Sequence, residues 1–140
     1  MKGLMQDWPL LVHTFIDHAS LHHGDREIVT RKVEGDIHRT NYSEIHSRAR
    51  KFSKSLIKLG VKKSDVIGTL AWNTHRHLET WYGITGVGAI YHTLNPRLFL
   101  EQLEYIINHA DNKYIIADIT FVKILEGIEA KLPNVKGFIF

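Results

Sequence analysis

Ten histidines and no cysteines bound the chemistry that this 140-residue chain could attempt. The absence of thiols excludes a disulfide framework and every thiolate metal site. Imidazole remains, and His18 with His22 has the i,i+4 spacing that puts two rings on one helical face. A zinc site needs a third ligand, and neither an H-E-x-x-H arrangement nor a clear carboxylate partner provides one, so the pair reads as surface. His75-Arg76-His77 falls at a helix start and points to no particular chemistry.

Phosphate binding has one candidate, the glycines of Tyr82-Gly83-Ile84-Thr85-Gly86-Val87-Gly88. Their order is reversed from G-x-G-x-x-G, and they close a helix instead of opening one; close helix packing followed by a helix stop accounts for them. No G-x-x-x-x-G-K-[ST] loop and no G-x-S-x-G elbow occurs. Ser, His and Asp are scattered with nothing to fix a nucleophile against a base, so no catalytic and no metal-ligating residue is expected. Asn95-Pro96-Arg97 is different, because it follows the apolar run Ala89-Ile90-Tyr91-His92-Thr93. A loop at the carboxyl end of a strand is where open α/β sheets meet ligands, although Asn-Pro is also a common turn signal before a helix.

The elements that must position these residues alternate. Pro9 opens a helix predicted over 9–22, with Leu11, Val12, Phe15, Ile16 and Ala19 near helical spacing before Gly24. The β-prone runs 27–33 and 37–40 flank Glu34-Gly35-Asp36 and read as a hairpin. Ser43 is placed to cap a helix whose Ile45, Ala49, Phe52, Leu56 and Leu59 step by four and three toward Gly60. Val66 to Trp72 is an unbroken apolar run, as a strand buried on both faces requires. A helix capped by Asn73 or Thr74 follows, then a strand to Thr93, a helix over 100–110, and a strand over 114–117. A helix over 121–132, a turn at Pro133-Asn134 and a strand over 137–140 complete the pattern. The expected fold is an open, mostly parallel α/β sheet with flanking helices and an amino-terminal hairpin.

Composition adds limits. With 44% hydrophobic residues, the chain can close one core, and one domain or part of one is expected over 1–140. No apolar stretch approaches the ~20 residues of a membrane helix, and the start lacks a continuous apolar signal core, so a cytoplasmic setting is expected. A net charge of +3 is far below the clustered excess of a dedicated nucleic-acid binder. Arg48, Arg50, Lys51, Lys54, Lys58, Lys62 and Lys63 make a basic stretch that reads as a solvated face, with attraction to anionic lipid or phosphate as the alternative.

From Thr40 to Asp118 the order of features resembles the adenylate-forming enzymes, specifically the medium- and long-chain fatty acyl-CoA synthetases. The carrying segments are Thr40-Asn41-Tyr42-Ser43-Glu44-Ile45, Leu59 to Ile67, Asn73-Thr74 and Gly86-Val87-Gly88-Ala89-Ile90. His92-Thr93-Leu94-Asn95-Pro96-Arg97-Leu98, Leu103 to Ala110 and Ile115-Ile116-Ala117-Asp118 continue the series. The resemblance implies a parent that joins fatty acid, ATP and CoA through an acyl-adenylate with magnesium, and it places Asn95 and Arg97 near CoA. It also implies that this is only the amino-terminal part of the AMP-binding domain. The three prolines are followed by Leu10, Arg97 and Asn134, so the family's Pro-Lys-Gly loop is absent, and its mobile carboxy-terminal domain is absent too. The final residues read as a strand without a polar tail, which favours a truncated enzyme, inactive alone and prone to self-association. The alternative is a non-catalytic module that binds an intact synthetase or, peripherally, an anionic membrane.

Overall fold

The computed structural model describes residues 3–140. Helix α1 (His13–His23) leads into an antiparallel hairpin of β1 (Glu27–Arg31) and β2 (Ile37–Asn41). Then come α2 (Tyr42–Lys58), β3 (Val66–Leu70), α3 (His75–Val87), β4 (Ile90–Thr93), α4 (Leu100–His109) and β5 (Asn112–Ala117). The chain closes with a short α5 (Val122–Glu126) between 3-10 turns, and β6 (Phe138–Ile139). Strands β3 to β6 form one parallel sheet in the order β4-β3-β5-β6, and the hairpin is a separate two-stranded sheet.

The sheet is covered on both faces, as the unbroken apolar run of β3 demands. Ile67 packs with Leu56, Val61, Ile84 and Ala89 on the side of α2 and α3. Leu70 packs with Leu94, Leu103, Ile107, Ile115 and Phe121 on the side of α4 and α5. Between β3 and β5 the register slips after Val66, where Asn112 is buried and donates to the Ile107 carbonyl at 3.0 Å.

Several boundaries differ from the sequence reading. Residues 9–12 lie outside α1; Leu10, Leu11 and Val12 are exposed, so no burial offsets the entropy of another helical turn. Asn41, not Ser43, caps α2, its side chain accepting from Glu44 N at 2.9 Å, because the helix begins at Tyr42. Strand β3 stops at Leu70 instead of Trp72, since Trp72 N turns away to a side chain. The helix expected over 121–132 is broken: α5 ends at Glu126, and Ile128 is buried in the core before a 3-10 turn at Glu129–Lys131.

The glycines behave as packing and stopping residues. Gly88 ends α3 with φ +79° and returns its N–H to the Thr85 carbonyl. Gly83 lets α3 approach α2 so closely that an added Cβ would stand 2.5 Å from Phe52 Cδ1 and 3.2 Å from the Ala49 carbonyl oxygen. Gly83→Ala is therefore expected to destabilise the chain by about 1–3 kcal/mol through overpacking, read as a lower urea midpoint. A midpoint at or above the wild-type value would show that the α2–α3 contact has slack.

Candidate functional site

From β3 the chain passes through α3 to β4 on one side, whereas β5 passes through α5 to β6 on the other. At such a reversal the loops after two neighbouring strands part, and open α/β sheets bind ligands in the resulting crevice. A cavity of about 640 Å³ opens here, and Glu34, Arg48, Lys51, Arg76, His77, Glu79 and Asp118 are its charged or titratable walls.

Most of these groups already have partners. Asp118, at the end of β5, accepts from Trp72 N at 2.6 Å and donates its own N–H to the Leu70 carbonyl at 3.0 Å. The Trp72 indole donates to Thr120 Oγ1 at 3.2 Å and packs on Phe121, so the loops after β3 and β5 are tied together. Glu79 is buried on α3 and accepts from Arg48 Nε at 2.6 Å. Glu34, in the hairpin turn, accepts from Arg76 at 2.8 Å. His77 bonds the Tyr91 hydroxyl; burial pushes its imidazole down while Asp118 opposes this, and burial pushes the Tyr91 phenol up.

Magnesium held with a nucleotide needs carboxylate oxygens free to face the ion. Glu34, Glu79 and Asp118 each accept a bond on one oxygen, from Arg76, Arg48 and Trp72 N respectively, and these bonds brace separate parts of the wall. Among the described residues, no three His, Asp or Glu side chains gather as a metal site. The arrangement can brace two loops and hold a charged wall.

The sequence-derived candidates lie apart from this cavity. Asn95 and Arg97 follow the edge strand β4, both exposed, with Asn95 Oδ1 accepting from Arg97 N at 3.0 Å and the Asn95 carbonyl taking Leu98 N at 3.2 Å. That is a turn feeding α4, and neither residue lines the large cavity. The rings of His18 and His22 lie 4.5 Å apart on the exposed side of α1. His75, Arg76 and His77 diverge, to His38, Glu34 and Tyr91 respectively. Every residue of the basic stretch is exposed, and Arg48 reaches from there to donate to the buried Glu79. Sequence reasoning gave Glu79 and Asp118 no role; their signals were an acid among the apolar residues of a helix and one directly after a buried strand.

A parallel sheet with helices on both faces, reversing direction at β3 and β5, defines a doubly wound α/β domain. Residues 16–138 match the model of the AMP-binding enzymes. The chain belongs to that family. It is 48% identical over 139 residues to a 3-methylmercaptopropionyl-CoA ligase of Ruegeria lacuscaerulensis, covering 99% of this chain and 26% of that protein. It is 42% identical, with the same coverage, to a medium-chain-fatty-acid–CoA ligase of Ectopseudomonas oleovorans. The chain thus spans about a quarter of the length of these relatives. In fold it matches the N-terminal domain of FACL13 from Mycobacterium tuberculosis, with a TM-score of 0.83 at 18% identity over 94% of this chain and 34% of that one.

The Asp118 tie is open to test. Asp118→Ala leaves Trp72 N–H without its acceptor and is expected to cost about 1–3 kcal/mol and to alter tryptophan emission, whereas Asp118→Asn, which keeps an acceptor, costs less. Equal stability of all three proteins would show that water replaces the bond.

Proposed function

We propose that this chain is the amino-terminal part of a fatty acyl-CoA ligase, and that it supplies scaffold to a reaction whose chemical groups lie in the rest of the enzyme. The observation that carries this reading is 42–48% identity to acyl-CoA ligases across 99% of the chain. The parent reaction is fatty acid plus ATP giving acyl-adenylate and pyrophosphate, followed by CoA attack giving the thioester and AMP. ATP, magnesium and CoA are cofactors and substrates of that parent, and residues 1–140 alone are inactive because the groups that neutralise phosphate charge are elsewhere.

In that parent, Asn95 and Arg97 stand on the CoA side of the cleft. Position supports this: they follow the carboxyl end of a parallel strand, and the Asn95 side chain fixes the turn that exposes Arg97. The setting is cytoplasmic; among the described residues no helix is long and apolar enough to cross a membrane. Phe15, Leu21, Phe99, Tyr105 and Ile119 stay exposed, and the isolated chain self-associates through such surface.

The test is made on a longer enzyme that carries this segment, supplied with octanoate or palmitate, ATP, magnesium and CoA. Acyl-CoA should form with AMP and pyrophosphate, and formation of no thioester from any fatty acid would sink the reading. In the same enzyme, Arg97→Ala should raise the KM for CoA several-fold while leaving acyl-adenylate formation unchanged. Unaltered CoA dependence would return Arg97 to a plain helix-entry turn.

A further inference from the structure

The hairpin stands apart from the four-stranded sheet and touches α3 near its free end. Its base is fixed: Asn41 caps α2, Thr40 Oγ1 donates to Glu44 Oε2 at 2.7 Å, and Ser43 N donates to the Gly24 carbonyl at 3.1 Å. Toward the turn, two contacts reach α3. One is the exposed pair of Glu34 with Arg76 at 2.8 Å. The other is the stack of His38 on His75, with ring centroids 4.0 Å apart and planes at 28°.

The second contact is poorly placed for a proton. His75 is the first residue of α3, where the positive end of the helix dipole disfavours a cation. It is buried, and its Nδ1 has no hydrogen-bond partner; nor has the buried Oγ1 of the preceding Thr74. The groups near it are mostly basic: His38 and Lys32 from the hairpin, Arg48 from α2 and Arg76 from α3 itself. The acids around them are committed, Glu34 to Arg76 and Glu79 to Arg48, while Asp118 lies beyond Arg76 at the end of β5.

We propose that the β1–β2 hairpin is a latch on α3, hinged at Asn41 and released by acid through the His38–His75 contact. Lifting it would let water reach Thr74 Oγ1 and His75 Nδ1, and would relieve the charge that a protonated His75 meets. It would also withdraw Ile28 and Thr30 from a cavity of about 470 Å³ beside Trp81 and Tyr91, and Val33 and Glu34 from the rim of the large cavity. The latch therefore controls access to both.

The sign follows from the ring. Burial first, then the neighbouring His38 and basic side chains, lower His75 from 6.5 to about 4 in the docked form. A released His75 binds the proton more readily, so docking weakens as pH falls from 6.5 toward 4 and changes no further below that. Glu34 is held below its usual 4.5, chiefly by its bond from Arg76. Its pair therefore contributes little to a difference between pH 7.5 and pH 5.0.

Hydrogen exchange of the full chain at pH 7.5 and pH 5.0, corrected for intrinsic exchange rates, reads the latch directly. Amides of residues 27–41 should lose protection by about twenty- to thirty-fold between the two pH values, while those of β3 and β5 do not. His75→Phe keeps a stacking ring without a charge and should abolish the difference. Equal loss in the hairpin and in β3, or pH dependence that persists in His75→Phe, would overturn the proposal. Should that variant fail to fold, the wild-type His75 ring followed by NMR still decides. A ring that takes up its proton only as the hairpin loses protection supports the latch; titration near 6.5 without hairpin release contradicts it.

Discussion

Everything in this domain hangs on a strand that has no solvent face. Ile67 and Leu70 of β3 are fully buried on opposite sides, one against α2 and α3, the other against α4 and α5. A strand of that kind must sit inside a sheet with both faces covered, which forces parallel neighbours joined by helices. Gly68 serves the same end: a Cβ there would stand 2.9 Å from Asn112 Oδ1 and 3.3 Å from Leu94 Cδ1, so β5 and the loop after β4 close on β3 only because the position is bare.

From that constraint follows the place of the crevice and also its limited chemistry. With β4 and β5 on opposite sides of β3, the loops after β3 and β5 part, yet they are bound to each other by Asp118, Trp72 and Thr120. The carboxylates of the crevice brace its walls, Asp118 on Trp72 N–H, Glu79 on Arg48 and Glu34 on Arg76. Bonds of this kind hold the wall in place, as the proposed scaffold role requires. That agrees with a chain spanning about a quarter of the acyl-CoA ligases it matches.

Local periodicity made much of the fold legible. The spacing of Ile45, Ala49 and Leu56 marked the buried face of α2, and the run from Val66 to Leu70 marked the central strand. Boundaries set by tertiary contact were not legible: residues 9–12 have helical spacing and nothing to pack against, and 121–132 breaks because Ile128 joins the core. The cap at Asn41 was missed because Ser43 is also a good capping residue, and only the helix start decides between them. In the candidate site and in the hairpin contact beside it, the pairs that matter join positions far apart in sequence, Trp72 with Asp118, Arg48 with Glu79 and His38 with His75. Periodicity carries no information about such partners, and the family resemblance marked whole segments without pointing to any pair.

The central proposal is that these residues provide structure while the reacting groups of a longer ligase lie outside them. Adenylation requires a carboxylate aligned with the α-phosphate and donors aimed at the charge building on pyrophosphate, and loss of even one such donor costs a factor of about 100 to 1,000 in rate. ATP–pyrophosphate exchange by purified residues 1–140, with octanoate through palmitate and magnesium present, measures this directly. No exchange above the control without protein is the predicted result. Exchange that persists after contaminating synthetase has been removed would contradict the account and place reacting groups within this chain.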